Sequence, residues 1–424
     1  MEKTKPRIVV LGSNFAGLTT ARLLRKEIKE HAEITVIDRK AYLLFVPNIP
    51  ETVMDNKDPQ YEMHLQFMRF YKEDHTHFIK ANVNSIDPES QTVEFTPNER
   101  PGQATEKIHY DYLIIAVGCR LAYDHIEGFA EHGFTVSDSF NGNRFRHYLW
   151  DGQYKGGPIA IGSAHFEQGS VGRPAWLPTL QAACEGPVME MAMLLANWLK
   201  EHRHQKDASL IRMFTPGSVL GEDAGVTLAE QFAHLAESMG ETIMKDTEDI
   251  KRITAEGIEF TNGKSLDAEI KIVLPNWEAH HFIKELPIAD DKGFVITDKY
   301  MRNPTYRNIF AVGDCAALTV PKLGAIGDAQ ARVVAKQIAA DLGVIDQKEC
   351  SEWSPMVICW GTMGNHKAFY LHSNLFYGGD IGYLKMGHLY YMMKMSFKVM
   401  YYDTGGTPPP WGLPIAEWVG DKLS

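Results

Sequence analysis

The sequence predicts an α/β protein of two Rossmann-like units followed by a C-terminal region of different character. Three observations carry this. Lys5–Asp38 reads as strand, turn, helix and strand: RIVVLG is apolar and β-branched, FAGLTTARLLRKEIKE is amphipathic, and AEITVID is a second strand. A second such unit opens at GPIAIG, continues into the helix PVMEMAMLLANWLKEHR with Pro187 at its first position, and reaches the strand in ASLIRMFTPG. From about Lys348 the chain becomes rich in Met, Tyr, Trp and Gly, which marks a separate segment.

Between these units, alternation in HFIKANVNSI, TVEFT and KIHYDYLIIAVG predicts an antiparallel excursion ending in a buried strand, Tyr112 to Val117. VTLAEQFAHLAESMG is a helix ended by Gly240, and short strands lead to IKIVLP. NIFAVGDC and a helix from Ala325 to Leu342 return the chain to the first unit. The expected domains are therefore 1–120 with 292–345, 121–291, and 346–424.

The bulk properties exclude several classes of function. A chain of 424 residues suits two or three domains and can bury a large cofactor. Its net charge of −11 argues against general affinity for nucleic acid or for anionic lipid headgroups, so any membrane contact must be local. The apolar run Ile8 to Leu11 is too short for a secretory signal, and no stretch approaches the length of a bilayer-spanning helix. The five cysteines are widely spaced and form no CxxC pair, which leaves neither a disulfide scaffold nor a structural metal site.

Gly12-Ser13-Asn14-Phe15-Ala16-Gly17 lies between strand and helix, and Asp38 closes the next strand at the spacing of a dinucleotide fingerprint. Glycines there permit a tight turn and close helix packing, the helix N-terminus faces a pyrophosphate, and the acid accepts a ribose hydroxyl. Asn14 replaces the middle glycine, so the loop either approaches phosphate less closely or uses an asparagine at positive φ. A second motif, Thr305 to Asp314, resembles the second FAD fingerprint of two-dinucleotide flavoproteins, and DYLIIAVG resembles their third marker. The resemblance implies FAD, with Asp314 beside Gly313 on a ribityl hydroxyl and Gly118 close to the cofactor. Arg39, Val83 and Ala116 join the expected binding set. The second unit lacks the parts of a nicotinamide site: GPIAIG runs into Ser163 to Gly169 without a glycine fingerprint, and Leu210 to Phe214 is followed by Thr215 and Pro216 rather than an acid.

Cys184 precedes Glu185-Gly186-Pro187 at a helix start, where unpaired N–H groups favour a thiolate, although a buried inert cysteine fits the placement equally well. AACEGPVMEMA resembles the Cys-x-Gly-Pro-x-x-Glu segment of sulfide:quinone oxidoreductases and flavocytochrome c sulfide dehydrogenases, with Glu190 at the acid position. Pro355 to Cys359 resembles the segment carrying their second redox cysteine; Pro47 and Pro321-Lys322 also match. This resemblance spans nearly the whole chain. It implies a glutathione reductase-like architecture in which Cys184 and Cys359 form a disulfide or polysulfide bridge beside the flavin. Hydrosulfide would open that bridge to a persulfide, and a thiolate, Cys359, would pass two electrons on, the low-pKa thiol being a good leaving group. The third cysteine by which many members tether FAD is replaced near Ser137-Asp138-Ser139. Cys119, Cys315 and Cys350 receive no role, and His165 reads as a loop residue.

Tyr383 to Tyr402 is dense in aromatic residues and methionine. At helical spacing Leu389, Met393 and Phe397 share one stripe beside Lys394 and Lys398, as in an in-plane membrane anchor, or else the segment is a core helix. The resemblance implies monotopic attachment to the cell membrane, a membrane quinone flanked by Ile358 and Phe397, polysulfide as product, and a homo-oligomer. The alternatives are a type II NADH:quinone oxidoreductase, which needs a nicotinamide site and no cysteine pair; the flavoprotein subunit of a flavocytochrome c sulfide dehydrogenase; and a non-enzymatic FAD-dependent redox sensor.

Overall fold

The computed structural model describes residues 5–100, 102–169, 175, 177–407 and 418–422. Strand β1 (Arg7–Leu11) is β-branched and apolar because both its faces are covered: Ile8, Val9, Val10 and Leu11 have no exposed surface. Helix α1 (Phe15–Ile28) follows and buries Leu18, Ala21, Leu24 and Ile28, one stripe at helical spacing. β2 (Glu33–Asp38) then pairs parallel with β1. The long β3 (His77–Asp87) starts parallel beside β2 and goes on as the antiparallel partner of β4 (Thr92–Pro97), which pairs with β5 (Glu106–His109). β6 (Tyr112–Ile115) returns to the other side of β1.

The second unit repeats the logic on a smaller scale. β7 (Ile159–Ser163), α2 (Gly186–Arg203), β8 (Ile211–Phe214), α3 (Val226–Ser238), β9 (Thr242–Met244) and β10 (Ile270–Leu274) build an all-parallel sheet in the order β9-β8-β7-β10. Every residue of β7 and β10 is buried. The chain then re-enters the first sheet with β11 (Ile309–Ala311) against β6, giving the order β11-β6-β1-β2-β3-β4-β5. Helix α4 (Gly324–Asp341) lies along α1, where Thr19 donates to Asp328 at 2.7 Å.

The C-terminal segment forms a three-stranded antiparallel sheet, β12 (Val357–Gly364), β13 (Lys367–Ser373) and β14 (Gly382–Gly387), followed by α5 (His388–Thr404). Here the structure corrects the single stretch expected over Tyr383 to Tyr402. Its first five residues lie in β14, because a glycine-bounded segment completes the ladder on β13 before the helix starts. Tyr401 near the end of α5 packs its ring against Phe15 and Phe45, and Arg22 of α1 donates to the Thr404 carbonyl. Among the described residues no helix is long and apolar enough to cross a membrane.

One buried group is out of balance. Glu241, between α3 and β9, is 2% exposed, and neither carboxyl oxygen has a hydrogen-bond partner. Burial pushes its pKa up to about 8. A folded state that holds a proton which the unfolded chain releases above about pH 4.3 loses stability as pH climbs towards 8. Glu241→Gln, a neutral stand-in for the protonated acid, is therefore expected to stabilise the holoprotein by about 3 kcal/mol at pH 7 and by almost nothing near pH 4.5. Thermal melts at both pH values check this; an equal gain at each would mean the carboxyl is not titrating.

Candidate functional site

β1 runs directly into Gly12, whose φ of +95° turns the chain sharply. A Cβ at Gly12 would lie 2.3 Å from the Ala116 carbonyl oxygen, and one at Gly17 would lie 2.2 Å from the Gly12 carbonyl oxygen, so only glycine lets strand, loop and helix approach this closely. Asn14 does not take the positive-φ form considered from the sequence. It is extended, with φ −84° and ψ −163°, because it occupies the N-cap of α1, and its buried Oδ1 has no partner. Asp38 is fastened to the same loop, accepting from the Ser13 N–H at 2.6 Å and the Lys40 N–H at 2.9 Å. Burial raises its pKa against the opposing pull of those bonds and of Lys40.

Asp314 sits in the turn Gly313–Cys315, held by a bond from the Gly313 N–H to Gln330 on α4 at 2.7 Å. Among the described residues no protein group donates to its carboxylate, whereas its carbonyl accepts from Lys322 Nζ and Cys119 Sγ, each at 2.9 Å. Burial raises the Asp314 pKa. Gly118 is at φ +66° with open space where a Cβ would be, Pro47 is exposed on the short turn Val46–Asn48, Arg39 is exposed beside Asp38, and Val83 is half-buried in β3. A helix N-terminus behind a glycine turn, an orphaned amide oxygen, a half-buried carboxylate with no donor among the described residues and an open glycine together fit FAD.

The second unit's first crossover is built differently. β7 leads into residues 164–185, with no helix among those described, and only then into α2. The helix N-terminus that faces a pyrophosphate in a dinucleotide unit here presents Cys184, Glu185 and Gly186. Cys359, on β12, arrives at the same point: a Cβ on Gly186 would lie 3.2 Å from Cys359 Sγ and 4.0 Å from Cys184 Sγ. The expected bridge is not closed, since both cysteines are free thiols. Nor is either poised as a thiolate. Burial holds the Cys184 pKa well above its ordinary value, aided by Asp223, and pushes Cys359 up to about 12, aided by Glu190 and opposed by Lys394. Desolvation outweighs the helix terminus here.

Glu190, 5% exposed on α2, accepts from the Thr362 N–H of β12 at 2.9 Å and from the Lys394 ammonium, which also donates to Thr362 Oγ1 at 2.9 Å. Burial raises the Glu190 pKa while Lys394 opposes the rise. Lys394 is 4% exposed, which corrects its expected place beside a membrane-facing stripe. Phe397 is turned inward with it, stacking on Trp360 at 5.6 Å between centroids. Ile358 shares the Trp360 face of β12, opposite Cys359. The exposed face of α5 is instead Met392 and Val399, each more than half exposed.

The remaining candidates stay outside this cluster. Cys315 donates to the Ile115 carbonyl at 3.1 Å and Cys350 lies near the Lys336 carbonyl. The His165 N–H bonds Asp249, and Asp138 between Ser137 and Ser139 caps a helix. Sequence reasoning missed Lys394 as a partner of Glu190, together with Glu185 and Asp223; the adjacency of Glu185 to Cys184 and the glycines around Glu222-Asp223-Ala224 were the available signals.

Residues 6–151 match the pyridine nucleotide-disulphide oxidoreductase family model. The chain is 25% identical to the sulfide-quinone reductase of Aquifex aeolicus over 92% of its own length and 89% of that protein. It is 24% identical to the mitochondrial sulfide:quinone oxidoreductase of Dictyostelium discoideum, over 78% of its length and 70% of the relative. The crystal structure of the Aquifex aeolicus sulfide:quinone oxidoreductase superposes with a TM-score of 0.80 at 22% identity, covering 97% of this chain and 95% of that one. The fold, the family match and the flavin cradle agree: the chain is an FAD-dependent oxidoreductase of the two-dinucleotide-fold kind, similar over most of its length to sulfide:quinone oxidoreductases.

Proposed function

We propose that this protein oxidises sulfide to polysulfide through Cys184 and Cys359 and passes two electrons through FAD to a membrane quinone. The observation that carries the reading is the convergence of the two thiols on Gly186 at the N-terminus of α2. Gly12, Asn14 and Gly17 would receive the FAD pyrophosphate, Asp38 with Arg39 a ribose, and Gly313 with Asp314 a ribityl hydroxyl. Pro47, Val83, Ala116, Gly118 and Lys322 complete the cradle. Bound FAD supplies a two-electron relay between dithiol and quinone.

The protein's own groups then have separable tasks. Sulfide opens the Cys184–Cys359 bridge, leaving a persulfide on one sulfur and a thiolate on the other. Lys394, whose charge bears on Cys359, favours the thiolate there, and Glu190 fixes Lys394 and Thr362 in place. Ile358 and Phe397, both on the Trp360 side of β12, are the quinone-flanking pair. The exposed Met392 and Val399, with Met386 and Trp418, form the membrane-facing surface of a monotopic protein.

Anaerobic addition of sulfide should bleach the bound flavin, and NADH should not; rapid bleaching by NADH alone would overturn the assignment. Cys359→Ala in the same experiment should keep its FAD and lose sulfide-driven reduction. Gly186→Val places a branched side chain between the sulfurs and should slow sulfide-driven reduction by at least about tenfold at unchanged FAD content; unaltered turnover would show that the sulfurs need no such approach. For the membrane surface, the double substitution Met392→Glu with Val399→Glu should abolish co-flotation of the full chain with lipid vesicles, whereas undiminished flotation would place the contact elsewhere.

A further inference from the structure

The C-terminal sheet has two faces, and the sulfur chemistry uses only the one that carries Cys359. On the other, the antiparallel register sets His372 of β13 directly opposite Ile358, and Tyr370 opposite Trp360, with Tyr383 and Lys385 of β14 next in each row. Residues opposed in this way have Cβ atoms about 5 Å apart. His372 is therefore the cross-strand neighbour of Ile358, one of the two quinone-flanking residues. Phe397, the other, stacks on Trp360, whose ring lies 5.3 Å from that of Tyr370.

Two observations on this face are unexplained by the sulfur chemistry. Trp360 Nε1 is buried and has no hydrogen-bond partner among the described residues. A buried N–H left unpaired is costly, and what it lacks is an acceptor such as a carbonyl oxygen. The second is a histidine–carboxylate pair. His372 Nδ1 meets Asp421 Oδ1 at 3.0 Å, the Tyr370 hydroxyl donates to the same oxygen at 3.2 Å, and the Lys385 ammonium donates to the Asp421 carbonyl at 2.7 Å. The His372 side chain is 6% exposed and that of Asp421 19%, so the pair runs from the covered face out to solvent.

A clasp for Asp421 has no need of an imidazole, because Tyr370 and Lys385 already hold that residue. The titratable and charged groups around the ring are Tyr370, Tyr383, Lys385 and Asp421, with Tyr390 of α5 stacked on Tyr370 and Lys422 exposed beside Asp421. Of these side-chain types, imidazole is the one suited to both gaining and giving a proton near neutral pH. A carboxylate on Nδ1 fixes the ring and favours its charged form, which leaves Nε2 for another partner. Ile358, Trp360, Met393 and Phe397 surround the same face with side chains that have no transferable proton.

We propose that His372 is the catalytic acid that protonates the quinone, that the Trp360 N–H holds a quinone carbonyl oxygen, and that Asp421 is the positioning residue for the imidazole; this rests on the quinone-reducing reading. The quinone gains two electrons and two protons. The electrons and one proton come from the reduced flavin, and the other proton leaves His372 Nε2 for a quinone oxygen. The products are the quinol, oxidised flavin and a neutral imidazole, which regains its proton from water at the Asp421 end.

The test starts from holoenzyme reduced anaerobically with dithionite, so that sulfide plays no part, and follows flavin re-oxidation by decylubiquinone or by ferricyanide, which takes electrons but no proton. The wild-type rate with decylubiquinone should fall as pH rises through the titration of His372, whereas the ferricyanide rate should lack that limb. His372→Gln, which can still bond Asp421, should react at least about 100-fold slower with decylubiquinone at pH 7 and lose the falling limb. Its ferricyanide rate should stay within about threefold of wild type, as should its decylubiquinone affinity, read from quenching of tryptophan fluorescence. Asp421→Asn removes the charge that favours imidazolium, so its falling limb should move about one pH unit lower. Trp360→Phe should raise the quinone KM about tenfold and leave the pH profile unmoved. Equal losses of His372→Gln with both oxidants, a loss confined to affinity, no loss, or a wild-type quinone rate indifferent to pH would each overturn the proposal. A wild-type flavin that ferricyanide re-oxidises and decylubiquinone does not would instead overturn the quinone reading. If His372→Gln loses its FAD, the wild-type and Asp421→Asn profiles decide.

Discussion

Glu190 and Lys394 are both at least nineteen-twentieths buried, and taking two charges out of water costs several kcal/mol per ion. Their mutual attraction, with the two bonds to Thr362, offsets that cost only in one geometry. The pair is better understood as a device of registration than of stability. It joins α2, β12 and α5, three segments with no local reason to meet, and β12 is the strand that brings Cys359 to Gly186. Removing one partner leaves an uncompensated buried charge next to the sulfurs, which is far worse than removing both. The approach of the two thiols depends on that three-way junction.

The second unit shows the same fold serving a different end. In the first unit, the N-terminus of α1 follows β1 through a glycine turn shaped for a pyrophosphate; in the second, residues 164–185 intervene and α2 opens on a cysteine. A helix terminus at best contributes a few tenths to about 2 kcal/mol towards an anion. Full burial among carboxylates shifts a thiol by several pKa units, each worth about 1.4 kcal/mol. Burial wins, so the reduced cysteines rest as thiols and need a proton acceptor whenever one of them is to act as a nucleophile.

How much of this the sequence disclosed follows from the range of each interaction. Gly12, Gly17 and Asp38 are set by a turn and the strands on either side of it, so their spacing was sufficient. The return of β11 to the first sheet was legible because Gly313-Asp314 repeats a recognisable motif. Of the two states the sequence leaves open for Asn14, the extended one is adopted because the residue caps α1. Lys394 was misplaced because helical periodicity says which residues share a face but not whether that face meets protein or lipid; the partner that drew it inward lies on another helix. Between the thiolate and the buried thiol that the sequence left open for Cys184, desolvation decides, and that burial is invisible at Cys184's own position. Asp223 was missed for the same reason.

The order of strands in the first sheet has a consequence for how the chain is made. β11 joins the edge of the sheet beside β6 only after the whole second unit has been synthesised, whereas the four parallel strands of that unit all lie between Ile159 and Leu274. On the ribosome the cysteine-bearing unit completes its sheet while the flavin cradle still lacks an edge strand, Asp314 and α4. The nascent protein therefore holds an open edge at β6 through much of its synthesis, and flavin capture belongs to the last stage of folding rather than the first.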